Sequence, residues 1–274
     1  MWFATLCKGR ADAYTRRVLP SPAYLISDAH LGVADPDAER LLLAFLRDIR
    51  RDAKTLVING DLFDFWFEWK RVIPRAGYRV LAALADLADQ GVRIVYVAGN
   101  HDCWGGDFLR QDVGVDYLRG PWRGDIAGWV SHIEHGDGLR DEEDRKYRML
   151  RVVLRHPLAI WAFRWLHPDL GTRLALGSSH ASRTYRAKDG GSGLLKVAMR
   201  ALAGDPALQL LVYGHSHVPV VERAETGAVF ANPGTWLGDS TFLRVTDDAV
   251  ELRRFRISLS GPSSDLLRRE PART

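Results

Sequence analysis

Five short candidate strands in this chain, four of them mainly apolar, stop at residues of the kind that bind metals. AYLIS (23–27) leads into Asp28-Ala29-His30, TLVIN (55–59) into Gly60-Asp61-Leu62-Phe63-Asp64, and RIVYVA (93–98) into Gly99-Asn100-His101-Asp102. HIE (132–134) is followed by His135-Gly136-Asp137, and LQLLVY (208–213) by Gly214-His215-Ser216-His217. Runs of this kind, bounded by turn signals, read as buried strands. Taken singly, each ending has a plain explanation. Asp-x-His and Gly-Asn-His-Asp are ordinary turn chemistry, and His-x-His puts two rings on one face of any strand. Five in succession point instead to a shared site, because α/β sheets bind ligands beyond the carboxyl ends of their strands. In four of the five a glycine adjoins the ligand type, which lets the backbone turn sharply and approach whatever is held there.

The segments between these runs have helical periodicity. Residues 37–51 place Leu41, Leu42, Phe45, Leu46 and Ile49 on one face, and residues 78–90 form a second helix that ends at Gln90-Gly91. Three more runs, 228–232, 241–246 and 249–255, follow in quick succession. Alternating strands and helices followed by a strand-rich end predict a layered α/β fold, a sheet sandwich flanked by helices. A length of 274 residues suits one large domain, expected over residues 20–257. The stretch from 258 to 274, rich in Ser, Pro and Arg, reads as a disordered tail.

Charge and cysteine content narrow the setting. A net charge of +4 suggests an anionic partner without choosing among phosphate, nucleic acid and a lipid surface. Cys7 and Cys103, the two cysteines, make no disulfide framework and fit a reducing compartment. The first twenty residues lack the apolar core of a secretory signal, and no run approaches the ~18 apolar residues of a spanning helix. The expected location is cytoplasmic.

The ordered set Asp-x-His, Gly-Asp, Gly-Asn-His-Asp, His and Gly-His-x-His resembles the calcineurin-like metallophosphoesterases, from Ser27 to about Trp236. The resemblance implies an α-β-β-α sandwich with a helical cap insertion, and hydrolysis of a phosphate ester or anhydride. It assigns Asp28, His30 and His217 to one divalent ion and Asn100, His135 and His215 to another, with Asp61 bridging. A pair of ions clamps a phosphoryl group for in-line attack. Mixed carboxylate, imidazole and amide donors suit Mn above all, or Fe, Co or Zn, better than Mg or Ca. Asn100 coordinates without adding negative charge, so the site stays attractive to phosphate; with His101 and His215 it is also expected to touch substrate. His101 is the expected general acid or phosphate contact, with Asp102 fixing its tautomer or else serving as a turn or cap. Asp64 and Asp137 are expected to orient Asp61 and His135.

The eighty or so residues between His135 and His215 exceed what one strand-helix-strand step needs, and about 139–205 is expected to be a cap. Residues 138–200 carry thirteen Lys and Arg against six Asp and Glu. Within them, HPLAIWAFRWLHPDL holds a stripe of Leu158, Trp161, Ala162 and Trp165, with Ile160 and Phe163 outside it. A helix apolar nearly all round is fully buried or meets something greasy. It is either ordinary core packing or a cap whose inner wall holds acyl chains or whose outer wall touches a bilayer.

Here the chain is similar to a narrower group, the UDP-2,3-diacylglucosamine hydrolases of lipid A biosynthesis. HGDGLRDEEDRKY places Asp144 and Tyr147, and SSHASRTYRAK places Ser179, Arg183 and Arg186, at that group's substrate-binding positions. The implied substrate is a lipid-linked nucleotide sugar, with peripheral contact at the inner membrane if the cap meets lipid. The chain has His101 and Val218 where that group typically has arginine, which leaves open a generic phosphodiesterase or phosphatase with a structural cap. A nuclease is disfavoured by the lack of interleaved aromatic-basic runs beyond the cap, and no pattern calls for an obligate protein partner.

Overall fold

The computed structural model describes residues 17–183 and 189–272. The elements run β1 (Val18–Leu19), β2 (Ala23–Ile26), α1 (Pro36–Ile49), β3 (Thr55–Asn59), α2 (Tyr78–Asp89), β4 (Arg93–Val97), α3 (Asp107–Gln111), β5 (Asp116–Leu118), β6 (Trp122–Ile126) and β7 (Trp129–Ile133). They continue with α4 (Arg145–Leu154), α5 (Pro157–Arg164), α6 (Pro168–Arg183), α7 (Ser192–Gly204), β8 (Leu210–Val212), β9 (Val220–Arg223), β10 (Val229–Asn232), β11 (Thr241–Val245), β12 (Ala249–Ser258) and β13 (Gly261–Pro271).

The strands form two sheets, ordered β1-β6-β7-β8-β10-β9 and β13-β12-β11-β2-β3-β4-β5. Side-chain parity explains how they stack. Leu25, Val57, Val95 and Val97 of one sheet meet Ile133, Leu210, Val212 and Val229 of the other in a core between the sheets. The alternate residues Tyr24, Ile26, Leu56, Ile58, Ile94 and Tyr96 face outward onto Leu42, Phe45 and Leu46 of α1 and Leu84 of α2. On the opposite outer face Leu211, Tyr213 and Phe230 pack on Leu194, Ala198 and Leu202 of α7. The layers are therefore α-β-β-α. Of the segment expected to be a cap, α7 belongs to this outer layer, while α4 buries no residue in it.

Helix starts follow local chemistry. Asp35 accepts the Asp37 N–H at 2.8 Å ahead of Pro36, so a side-chain oxygen and a proline together open α1. The two His-Pro pairs do the same at α5 and α6: His156 Nδ1 accepts the Leu158 N–H at 3.2 Å, and His167 Nδ1 the Asp169 N–H at 3.3 Å.

The expectation of a disordered tail is corrected. Residues 261–271 are β13, paired antiparallel with β12 along its whole length. Polar composition misled because an edge strand is held by its backbone hydrogen bonds and needs few apolar side chains. The far end is also tied to the other sheet, where Arg223 donates to buried Glu270 at 3.0 Å. Deleting residues 261–274 is expected to lower the melting temperature by about 4 °C or more; an unchanged thermal transition would mean the tail contributes nothing.

Candidate active site

β2, β3 and β4 run parallel, as do β7 and β8, so their C-terminal ends collect at one edge of the sandwich. The pairing continues into the loops. Asp28 N–H donates to the Gly60 carbonyl at 3.1 Å, His30 N–H to the Asp61 carbonyl at 3.0 Å, and Gly214 N–H to the His135 carbonyl at 2.8 Å. Contacts that join the sheets at this edge include His215 N–H to Asp28 Oδ2 at 3.0 Å and Asn59 Nδ2 to the Glu134 carbonyl at 3.2 Å.

The backbone at these tips is strained. Asp28 (φ 54°), His30 (46°), Asp61 (52°), His215 (61°) and His217 (59°) all adopt the left-handed region. Such a conformation costs a residue with a Cβ about 1–3 kcal/mol and persists where surrounding contacts enforce it. At Gly99 any Cβ would run into Asp61, and at Gly60 into the His135 ring. Glycine is required at both because carboxylate and imidazole press against the turns.

Two groups of side chains converge there. Ligand atoms of Asp28, His30 and His217 lie within 4.8 Å of one another, and so do those of Asp61, His135 and His215. Asp28 Oδ2 is engaged by the His215 N–H and the Ser27 hydroxyl, which leaves Oδ1 facing His217 Nε2 at 3.3 Å. Asp61 Oδ1 accepts the His101 N–H at 2.9 Å. Its Oδ2 lies 3.2 Å from His135 Nε2 and 4.0 Å from His30 Nε2, between the two groups.

Ring orientations are fixed from behind. His30 Nδ1 lies 3.2 Å from Asp64 Oδ1, and His135 Nδ1 lies 2.8 Å from the Asn59 carbonyl. Both Nε2 atoms therefore point inward, and His30 Nε2 stands 3.2 Å from His217 Nε2. Two imidazole nitrogens at that separation need a proton or a cation between them. Asn100 Oδ1 is buried with no hydrogen-bond partner, which is costly unless something positive sits nearby. Burial and the neighbouring His135 push His215 down to about 4, so its ring is neutral and able to donate a lone pair. Burial alone would raise Asp61, but His135 and His101 hold it well below the usual carboxylate range. A buried orphaned oxygen, inward-facing ring nitrogens and an ionised acid together fit divalent cations.

Comparison with known families agrees with this geometry. Residues 21–219 match the family described as calcineurin-like phosphoesterase. The chain belongs to that family. This phosphoesterase is 34% identical over 221 residues to a UDP-2,3-diacylglucosamine hydrolase of Porphyromonas gingivalis, covering 73% of this chain and 84% of that protein. It is 30% identical to the enzyme of that name from Pseudomonas fluorescens, over 84% of this chain and 94% of the other. Among solved structures it is similar to Vacuolar Protein Sorting 29 from Cryptosporidium parvum, 16% identical with TM-score 0.46, covering 91% and 97% of the two chains. It is a metal-dependent hydrolase that binds divalent cations.

Several residues of the phosphoesterase sit differently from expectation. His101 Nδ1 lies 2.9 Å from the Asp64 carbonyl, so Asp102 does not set its tautomer. Both Asp102 oxygens are used elsewhere: Oδ1 by Gly99 N–H at 2.8 Å, Oδ2 by Leu62 N–H at 2.8 Å and by the Tyr96 hydroxyl. Asp102 braces the turns after β3 and β4. Burial and the Asp61 charge push it up to about 6. Asp64 lies behind His30 rather than Asp61, and the Asn59 carbonyl, not Asp137, meets the His135 ring. Asp137 instead accepts the Tyr147 hydroxyl at 2.6 Å. Asp144, expected to meet substrate, is buried and held by Arg140 through its backbone N–H, Nε and Nη2, at 2.8 to 3.3 Å. Ser179 and Arg183 fall on α6 with side chains outside the described residues, and Arg186 lies outside them altogether.

Sequence reasoning missed Asn59 and Asn232. Asn232 Nδ2 donates to the Gly214 carbonyl at 2.9 Å and to Ser216 Oγ at 3.0 Å, which steadies the His-Ser-His turn. The available signal was a buried amide closing an otherwise apolar strand, at the end of both β3 and β10.

Next to His101 opens a cavity of about 340 Å³. Its polar end is Asp64, Asn100 and His101; its walls include Phe67, Trp104, Leu150, Ile160, Phe163 and Leu174. Ile160 and Phe163 also pack on Phe65, Phe67 and Trp69. The stripe of α5 points the other way, with Leu158, Trp161 and, just past the helix, Trp165 at 68, 60 and 76% exposure. The two apolar faces of α5 thus have separate surroundings.

Proposed function

We propose that this phosphoesterase hydrolyses UDP-2,3-diacylglucosamine to UMP and 2,3-diacylglucosamine 1-phosphate, a step of lipid A biosynthesis. The observation that carries this reading is the apolar cavity that opens from Asn100 and His101. A diphosphate reacting at the strand tips would have a greasy channel beside it, sized for hydrocarbon and poor in polar partners. The names of the related proteins point to the same substrate.

In this reading Asp28, His30 and His217 would hold one divalent ion, and Asn100, His135 and His215 a second, with Asp61 available to both. The donor set favours manganese, with iron, cobalt or zinc as alternatives. Two cations bound there supply positive charge for the diphosphate and acidify the attacking water. The protein residues do the rest. Asp28 and Asp61 offset only part of that charge, so the site keeps its attraction for phosphate, and the neutral Asn100 amide adds to neither side. His101 has Nδ1 committed to the Asp64 carbonyl, so Nε2 is the atom that contacts the phosphoryl oxygens or passes a proton to the leaving group. The cap wall keeps bulk water from the acyl chains.

The outer face of α5 extends the reading to the place of action. Leu158, Trp161 and Trp165 are exposed together, an apolar face suited to the interface of a bilayer. Among the described residues no helix is long and apolar enough to cross a membrane. Contact would be peripheral.

Comparing UDP-2,3-diacylglucosamine with deacylated UDP-glucosamine tests the substrate. Burying about four methylenes at ~0.8 kcal/mol each corresponds to ~10²-fold in kcat/KM, so the deacylated compound is expected to be at least that much poorer. Equal rates on the two, or activity confined to bis-p-nitrophenyl phosphate, would favour a generic phosphodiesterase.

A further inference from the structure

α4 raises a question of attachment. It buries none of its residues, and Met149, Leu150, Val152 and Val153 are exposed. A helix without a buried stripe gains little from hydrophobic packing. Its tethers are polar, and they converge on one acid. Tyr147 donates its hydroxyl to Asp137 Oδ2 at 2.6 Å. Arg151 Nη1 lies 3.3 Å from the same oxygen and donates to the Asp137 carbonyl at 2.9 Å. Arg155, which caps the helix, brings Nη2 to 3.5 Å from Oδ2. Residues 147, 151 and 155 are spaced by four, so they form one line along the helix. Further contacts run through Arg148 to the carbonyls of Gly138, Arg140 and Asp141 and from the Trp104 indole to the Leu154 carbonyl at 2.9 Å.

Asp137 is itself buried and stands two residues beyond His135. The side of α4 that carries Leu150, Val153 and Leu154 forms a wall of the cavity whose other end is Asn100 and His101. One carboxylate therefore connects a loop of the metal centre to the wall of the apolar channel. We propose that Asp137 is a positioning residue that ties the first cap helix to the metal-bearing loop and so fixes the channel wall relative to the reacting phosphate. Two guanidinium groups and a phenol share its charge, and taking that charge away leaves them uncompensated.

Amide hydrogen exchange on the full-length protein tests the tether directly. In Asp137→Asn, and more weakly in Arg151→Gln, amides of residues 145–154 are expected to exchange about tenfold faster or more, while those of β3 and β4 keep their protection. A kinetic arm rests on the substrate reading above. Arg151→Gln should raise KM for UDP-2,3-diacylglucosamine about tenfold with kcat within about twofold, and leave hydrolysis of bis-p-nitrophenyl phosphate within about twofold. Unchanged exchange in α4 would overturn the tether. Equal losses of kcat on both substrates would overturn it too, because the residue would then act through the metal centre. Should the unaltered enzyme fail to cleave the lipid nucleotide, the substrate reading falls, and the exchange measurement still decides the role of Asp137.

Discussion

Replacing Asp61 with asparagine is expected to reduce kcat by at least about 10²–10³-fold, even at saturating manganese. Asp61 is placed between the two ligand groups. Its Oδ2 lies 3.2 Å from His135 Nε2 and 4.0 Å from His30 Nε2, while Oδ1 holds the His101 backbone. Asparagine keeps the size and one oxygen, so the turn can survive. It loses the negative charge that two neighbouring cations would share, and their mutual repulsion is then relieved only by losing an ion. Turnover near that of the unaltered enzyme would mean that Asp61 is no bridge. The close fit of Gly99 against this carboxylate gives the same argument a second handle, since a methyl group there must displace it.

His101→Gln is expected to lower kcat by about 10²–10⁴-fold, the usual range for a positioned acid or base, with metal content unchanged. The imidazole is buried and turned by the Asp64 carbonyl so that Nε2 faces the reaction site. Glutamine can offer a hydrogen bond but not a proton at neutral pH. The two roles open to His101 separate by leaving group. If it donates a proton, the loss will be larger for a phenyl than for a p-nitrophenyl diester; a uniform loss marks a contact to the phosphoryl oxygens.

The strand tips were legible because metal-ligand residues and glycines interrupt apolar runs, a pattern that needs no knowledge of tertiary contacts. The layer order followed from the same runs. What the chain hid were partnerships. Asp64, Asp102 and Asp137 look alike in sequence, each a few residues past a strand. One backs His30, one braces two turns, and one reaches across to α4, and the difference depends on which loops meet in space. β5 went unread because it is short, and β6 because it carries two charged residues and Gly124. β13 was misread because the composition of an edge strand resembles that of a disordered tail. α5 carries two apolar faces, and no periodicity argument can say which faces the cavity and which faces out.

The account stands on a shared site for two ions, and elemental analysis of purified, manganese-loaded enzyme measures it most directly. Two equivalents per chain are expected, falling to one or fewer in Asp61→Asn. A single equivalent in fully active, unaltered protein would contradict it.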